Sequence, residues 1–186
     1  MDPRLLFGRA LDQSERLVAG TRPEHLADPT PCTDFDVRAL LGHTVAVLRR
    51  IAHVGRGGDP SDIPHVITDV DDWAATFRKD RADVDAVWTD DALLDTELTL
   101  PWGTMPGRVA LTAWAQEFTV HAWDLAQATG RTAELDPGLG EIALDIAQRV
   151  VPAEPRGGPV PFGPVVSVGP DADTYTRLAA HLGRPV

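Results

Sequence analysis

The sequence predicts a mainly helical bundle followed by an irregular C-terminal tail. Three observations lead there. Apolar residues recur every three or four positions through several long segments. Those segments are bounded by helix caps, prolines and glycines. Strand-like alternation is confined to one short stretch, Asp95 to Leu100. With 186 residues, the chain is long enough to bury about 70% of its unfolded surface without disulfide or metal staples.

Taken in order, Pro3 to Ala19 places Leu6, Ala10, Leu17 and Val18 on one side, with Arg9, Asp12 and Glu15 between them. This is an amphipathic helix, and proline is tolerated in its first turn. Pro23, Pro29 and Pro31 then hold Thr21 to Thr33 in an extended loop. Thr33-x-x-Asp36 reads as a capping box. It opens a helix from about Phe35 to Val54 that buries Val37, Leu40, Leu41, Leu48 and Ile51. Gly55, Gly57, Gly58, Pro60 and Pro64 mark a loop. A third helix, about Thr68 to Trp88, carries Trp73, Phe77, Val84 and Trp88 on one stripe. Asp71, Asp80, Asp83 and Asp85 are expected on its solvated faces.

Asp95 to Gly107 reads as a short hairpin or extended crossover. The fourth helix runs from about Val109 to Thr129 and stops at Gly130. Asp136-Pro137 starts a fifth, expected to bury Leu139, Ile142, Ile146 and Val150. Pro152 to Pro164 is a Pro/Gly-rich connector, and Asp173 to Leu182 suits a short terminal helix. The helical part, residues 1–151, and the tail, residues 152–186, are expected to pack as one domain.

Charge narrows the function classes. Seventeen basic against twenty-eight acidic residues give a net charge of −11, the wrong sign for a nucleic-acid binder or a partner of anionic membranes. Cys32 is the one cysteine, so an internal disulfide framework and the cysteine-based zinc modules are excluded. No apolar run reaches about 18 residues and no signal-peptide core is visible, so a cytoplasmic protein is expected. Three serines stand outside any G-x-S-x-G sequence, which leaves a serine-hydrolase elbow unsupported.

The fourth helix carries the chemistry. In Glu117-Phe118-Thr119-Val120-His121-Ala122-Trp123-Asp124, positions i, i+4 and i+7 fall within an arc of about 60°. Glu117, His121 and Asp124 therefore share a stripe. A carboxylate and an imidazole one turn apart can grip the same divalent ion. Such pairs are also common on helix surfaces, so the spacing leaves both readings open. His43, in Leu40-Leu41-Gly42-His43-Thr44-Val45, is either a satisfied core histidine or a third ligand. His25, His53, His65 and His181 have no partner at ligand spacing and read as surface or capping residues. Cys32 lies near a helix N-terminus, where a thiol can become reactive; a small packing residue is the plainer reading. Trp73, Trp88, Trp114 and Trp123 read as core, whereas Trp102 and Arg108 are candidates for a substrate pocket.

Three stretches resemble a known family. They are Pro29-Thr30-Pro31-Cys32-Thr33-Asp34-Phe35-Asp36-Val37-Arg38 with Leu40-Leu41-Gly42-His43; Glu117 to Ala126 with Ala128-Thr129-Gly130; and the tail, Phe162-Gly163-Pro164 with Arg177 to Arg184. In this order they resemble the DinB-like superfamily, in its actinobacterial branch related to the metal-binding domain of mycothiol-dependent maleylpyruvate isomerase. The resemblance implies a DinB-like four-helix bundle, with the crossover before the metal-binding helix, that binds a divalent metal, usually zinc. Its ligand positions fall on His43, Glu117 and His121. Asp124, on the same stripe, is either a group that orients one of these ligands or a helix-surface acid. The isomerase carries a second, C-terminal domain where this sequence has a short tail, so isomerisation of maleylpyruvate itself is not implied.

Three protein ligands leave an open position on zinc, which is the mark of a catalytic site. A thiol bound there is favoured as thiolate, and the family suggests mycothiol as that thiol. The expected activity is zinc-dependent transfer of mycothiol to a small electrophile, or a related isomerisation. The alternatives are hydrolysis by metal-bound water and non-catalytic binding of a metal or small molecule. The oligomeric state, a homodimer among the options, stays open.

Overall fold

The computed structural model describes residues 2–157 and 162–186. Five long helices alternate with loops: α1 (Pro3–Ala19), α2 (Val37–Gly55), α3 (Trp73–Val87), α4 (Gly107–Thr129) and α5 (Pro137–Val150). A short α6 (Thr174–His181) follows in the tail. The expected hairpin is present as β1 (Glu97–Leu100) and β2 (Gly103–Pro106), antiparallel with Leu98 opposite Met105. The fold is a DinB-like bundle with its crossover in place. Within the expected Pro/Gly-rich connector, residues 158–161 lie outside the described residues. No described helix is long and apolar enough to cross a membrane.

Aspartates start most of the helices. Asp2, Asp36, Asp72, Asp136 and Asp173 each accept a backbone N–H in the first turn of α1, α2, α3, α5 and α6. Such caps contribute about 1 kcal/mol apiece, so part of the acid excess is structural rather than mere solvated surface. Asp36 caps α2 by itself, accepting from Ala39 N at 2.8 Å. The expected box from Thr33 does not form, because the chain turns there and frees Phe35 to lean on α2. Helix α4 ends at Gly130, whose φ of 69° suits a residue without a Cβ.

Helices α1 to α4 enclose the main core, built on Leu11, Leu40, Ile51, Phe77, Trp114 and Phe118, with Leu98 and Leu100 of the hairpin added. A second core joins the far side of α4 to α5 and α6 through Val120, Trp123, Leu144, Ala147, Tyr175 and Leu178. Helix α4 is therefore covered on both sides, and every residue from Phe118 to Ala126 is buried. The polar stripe therefore runs into the core: His121 and Asp124 are buried, and Glu117 keeps one edge toward solvent.

Three expectations need correction. Helix α3 starts at Trp73 rather than Thr68, because the preceding strap crosses α2 and Ile67 N–H donates to Gly42 O at 3.1 Å. Asp80 is not solvated; it is 7% exposed and takes Arg49 at 2.6 Å. On α5 the buried face is Leu139, Ala143, Leu144 and Ala147, while Ile142 and Ile146 are half-buried and Val150 is 62% exposed. That face is rotated because α5 must meet α4 and α6 at once.

Candidate metal centre

Helix α2 presents His43 and α4 presents Glu117 and His121 at one point between them. One ligand atom from each lies within 4.8 Å of the others. His43 Nε2 stands 3.3 Å from Glu117 Oε1, and the two imidazole rings meet edge-on at 5.0 Å. Both histidines are buried, whereas the Glu117 side chain is 28% exposed. Side chains of Thr44, Val47 and Phe118 line the narrow recess around these groups. It is too tight to enclose a small molecule, whose pockets run to about 300 Å³ or more. A larger ligand must approach from the Glu117 side.

The surrounding hydrogen bonds decide what the imidazoles offer. His43 Nδ1 lies 3.1 Å from the backbone oxygen of His65. A carbonyl only accepts, so Nδ1 carries the proton. His121 Nδ1 lies 2.9 Å from Asp124 Oδ2. Asp124 is wholly buried and itself paired with Arg184 Nη2 at 3.1 Å. An ionised carboxylate also only accepts, so this Nδ1 is protonated too. Each Nε2 is left as a lone pair. Two lone pairs and a carboxylate thus converge in a buried space, a costly arrangement without a cation. The set fits a divalent metal, with each histidine oriented by a second hydrogen bond.

Electrostatics agree. Burial pushes the Glu117 carboxyl up, but positive charge around it outweighs this and holds it below the ordinary glutamate range: a proton on His43 Nε2, which would donate to Glu117 and whose place a metal ion would take, with His121 and Arg50 nearby. Burial also raises Asp124, and the His121 hydrogen bond and Arg184 charge overcome it, leaving the group lowered.

Cys32 reaches the same neighbourhood from the loop before α2. Its sulfur, a His121 nitrogen and an Asp124 oxygen lie within 4.8 Å of one another. The Arg184 guanidinium already serves that carboxylate as its cation. Burial pushes the Cys32 thiol up, which disfavours a reactive thiolate there. Trp102 is 48% exposed at the hairpin turn, with its ring edge-on to Trp114 at 6.4 Å. Arg108 pairs with Asp95. Among the described residues neither makes a hydrogen bond or ring contact with the triad.

Spacing along the chain does not reveal two further contributors. His65 reads from the sequence as a surface residue. Its ring is indeed exposed, but it sits 4.6 Å from that of His43, and its backbone oxygen accepts from His43 Nδ1. A contact made by a loop carbonyl leaves no trace in side-chain periodicity. The available signal is Gly42: a Cβ there would press into Ile67 O, so glycine lets the strap lie against α2. Arg184 is the second, 60 residues beyond Asp124. The other two-sided histidines are structural: His53 pairs with Asp62 at 2.9 Å, and His181 Nε2 meets Ala147 O at 3.2 Å and Val151 O at 3.1 Å.

Fold and site together define a class: a DinB-like helical bundle with a His₂Glu cluster able to hold a metal ion. Comparison with known proteins narrows it. Residues 7–126 match the model of the mycothiol maleylpyruvate isomerase N-terminal domain, and the chain belongs to that family. Uncharacterized proteins from two strains of Mycobacterium tuberculosis are each 33% identical over 190 residues, covering 100% of both chains. The crystal structure of the mycothiol-dependent maleylpyruvate isomerase aligns with a TM-score of 0.63 at 15% identity, covering 80% of this chain and 68% of that one. That likeness is one of fold.

Proposed function

We propose that the protein is a zinc-dependent enzyme of thiol chemistry, joining an external thiol to a small electrophile or isomerising it through such an adduct. The observation that carries the reading is the convergence of His43 Nε2, Glu117 and the free nitrogen of His121, with both Nδ1 atoms committed elsewhere. Two imidazoles and a carboxylate form a known catalytic zinc set. The bound ion would supply a Lewis-acid centre that favours thiolate over thiol. His43, Glu117 and His121 hold the ion, and Asp124 orients His121. The exposed edge of Glu117 marks the side from which thiol and electrophile enter.

The sulfur must come from outside the chain. Cys32 is the one cysteine, and burial keeps its thiol protonated. Mycothiol is the thiol on which the aligned isomerase depends, and a cytoplasmic setting would keep it reduced. The bundle, 1–151, and the tail, 152–186, act as one domain in this reading, since α6 packs against α5.

Protein from metal-replete cells should carry a stoichiometric divalent ion, and His121→Ala should lose it. Displacement of bromide from a bromobimane by mycothiol should then run faster than the uncatalysed reaction, and that acceleration should require the ion. A wild-type protein without metal refutes the site. Turnover without thiol would instead mark a hydrolase, and tight binding without turnover a sequestering protein.

A further inference from the structure

We infer that Arg184, carried by the C-terminal tail, is a positioning residue of the metal centre: it locks Asp124 so that Asp124 can hold His121 in its ligand-presenting form. The inference rests on the metal-site reading above and extends it beyond residues 7–126, where the family model ends.

The geometry is a chain of three groups. Arg184 Nε donates to Asp124 Oδ1 at 3.3 Å and Nη2 to Oδ2 at 3.1 Å, so both carboxylate oxygens are held in one plane. Oδ2 in turn accepts from His121 Nδ1 at 2.9 Å. Asp124 is 0% exposed and the Arg184 side chain 13%, so water does not compete for these bonds. Among the described residues Asp124 has no other side-chain partner, and nothing else fixes its rotation.

The tail is built to deliver this arginine. Gly183 has a φ of 78°, which suits glycine. It donates to Ala180 O at 3.1 Å, and Arg184 N donates to Ala179 O at 2.9 Å. This pair of bonds is a Schellman ending of α6. It fixes the backbone of Arg184 immediately before the side chain turns into the bundle. Val166 N, donating to Ala180 O at 2.9 Å, ties the incoming strand of the tail to the same turn. These bonds set the backbone of Arg184, and among the described residues its ion-pair partner is Asp124, which accepts from His121.

The test uses the full chain with Arg184→Ala, Arg184→Lys and Asp124→Asn. Ring-nitrogen NMR of the metal-free proteins reads the tautomer of His121, and chelator competition with zinc and cobalt reads affinity. Wild type should show His121 protonated at Nδ1. Arg184→Ala should mix the tautomers, alter the visible spectrum of the cobalt form and weaken metal binding about 10- to 100-fold. The Arg184→Ala/Asp124→Asn double variant should be no weaker than the worse single one. Added guanidinium should restore part of the loss in Arg184→Ala, and Arg184→Lys should fall between.

Unchanged affinity, cobalt spectrum and tautomer in Arg184→Ala, with only a lower melting temperature, overturn the inference and leave Arg184 as a tail anchor. Should Arg184→Ala fail to fold, the tautomer in wild type and Arg184→Lys still decides. A wild type protonated at Nε2 refutes the proposed orientation. A wild type that takes up no ion refutes the metal reading instead, while the NMR signals continue to report whether Arg184 orients His121.

Discussion

Replacing Gly42 by alanine tests how the strap over α2 prepares His43. In most helix interiors this change stabilises by about 0.5–1 kcal/mol, because glycine loses more freedom on folding. Here the new methyl would press into Ile67 O and come within 2.8 Å of Val66 Cγ1. Contacts of this kind relax to about 3.5 Å or more, and the nearest obstacle is backbone, which cannot rotate aside. The strap must therefore shift by roughly 1 Å. Two bonds would be lost with it: Ile67 N to Gly42 O and His43 Nδ1 to His65 O, both now 3.1 Å. Overpacking costs about 1–3 kcal/mol and each bond about 1 kcal/mol, so the net loss after the helix gain is about 2–4 kcal/mol. In a chain of this size each kcal/mol lowers the melting temperature by about 2–4 °C. Metal affinity should fall at least tenfold, roughly the lower end for a lost orienting partner. Thermal melts and chelator competition measure the two effects. Gly8→Ala is the control, since nothing lies within 4 Å of a Cβ there; it should be neutral or stabilising. A Gly42→Ala protein that melts no lower than wild type and binds metal equally well would show that the strap does not depend on glycine at this position.

Other outcomes follow from the same structure. Arg49→Ala strands the buried carboxylate of Asp80 and should cost about 2–3 kcal/mol, whereas Asp80→Ala frees a 37% exposed arginine to water and should cost about 1 kcal/mol; urea melts that reverse this order would contradict the pair's role. Tyr175 is the one tyrosine. Burial, partly offset by Gln13, pushes its phenol from 10.0 up to about 12. Its folded-state value exceeds the unfolded one, so the stabilisation is complete below about pH 10 and is lost as pH rises through about 12. The loss should be on the order of 1–2 kcal/mol. Ultraviolet titration of the phenolate band and alkaline melts follow it, and an ordinary titration near the unfolded value would rule out the buried phenol.

The local features of this protein are legible along the chain. Helix periods, aspartate caps and the Gly130 stop are properties of neighbouring residues, and all can be read in one dimension. So can the stripe of Glu117, His121 and Asp124, because a single helix makes it. Its meaning could not be read there, since a Glu–His pair looks the same on a solvated face and in a core. Packing of the helices places α4 between two cores and brings His43 to it from α2. The same packing buried Asp80 and turned Val150 outward. His65 and Arg184 were least legible, one acting through a loop carbonyl and the other across 60 residues of chain. Such contacts depend on which surfaces meet, and no spacing along the chain records that.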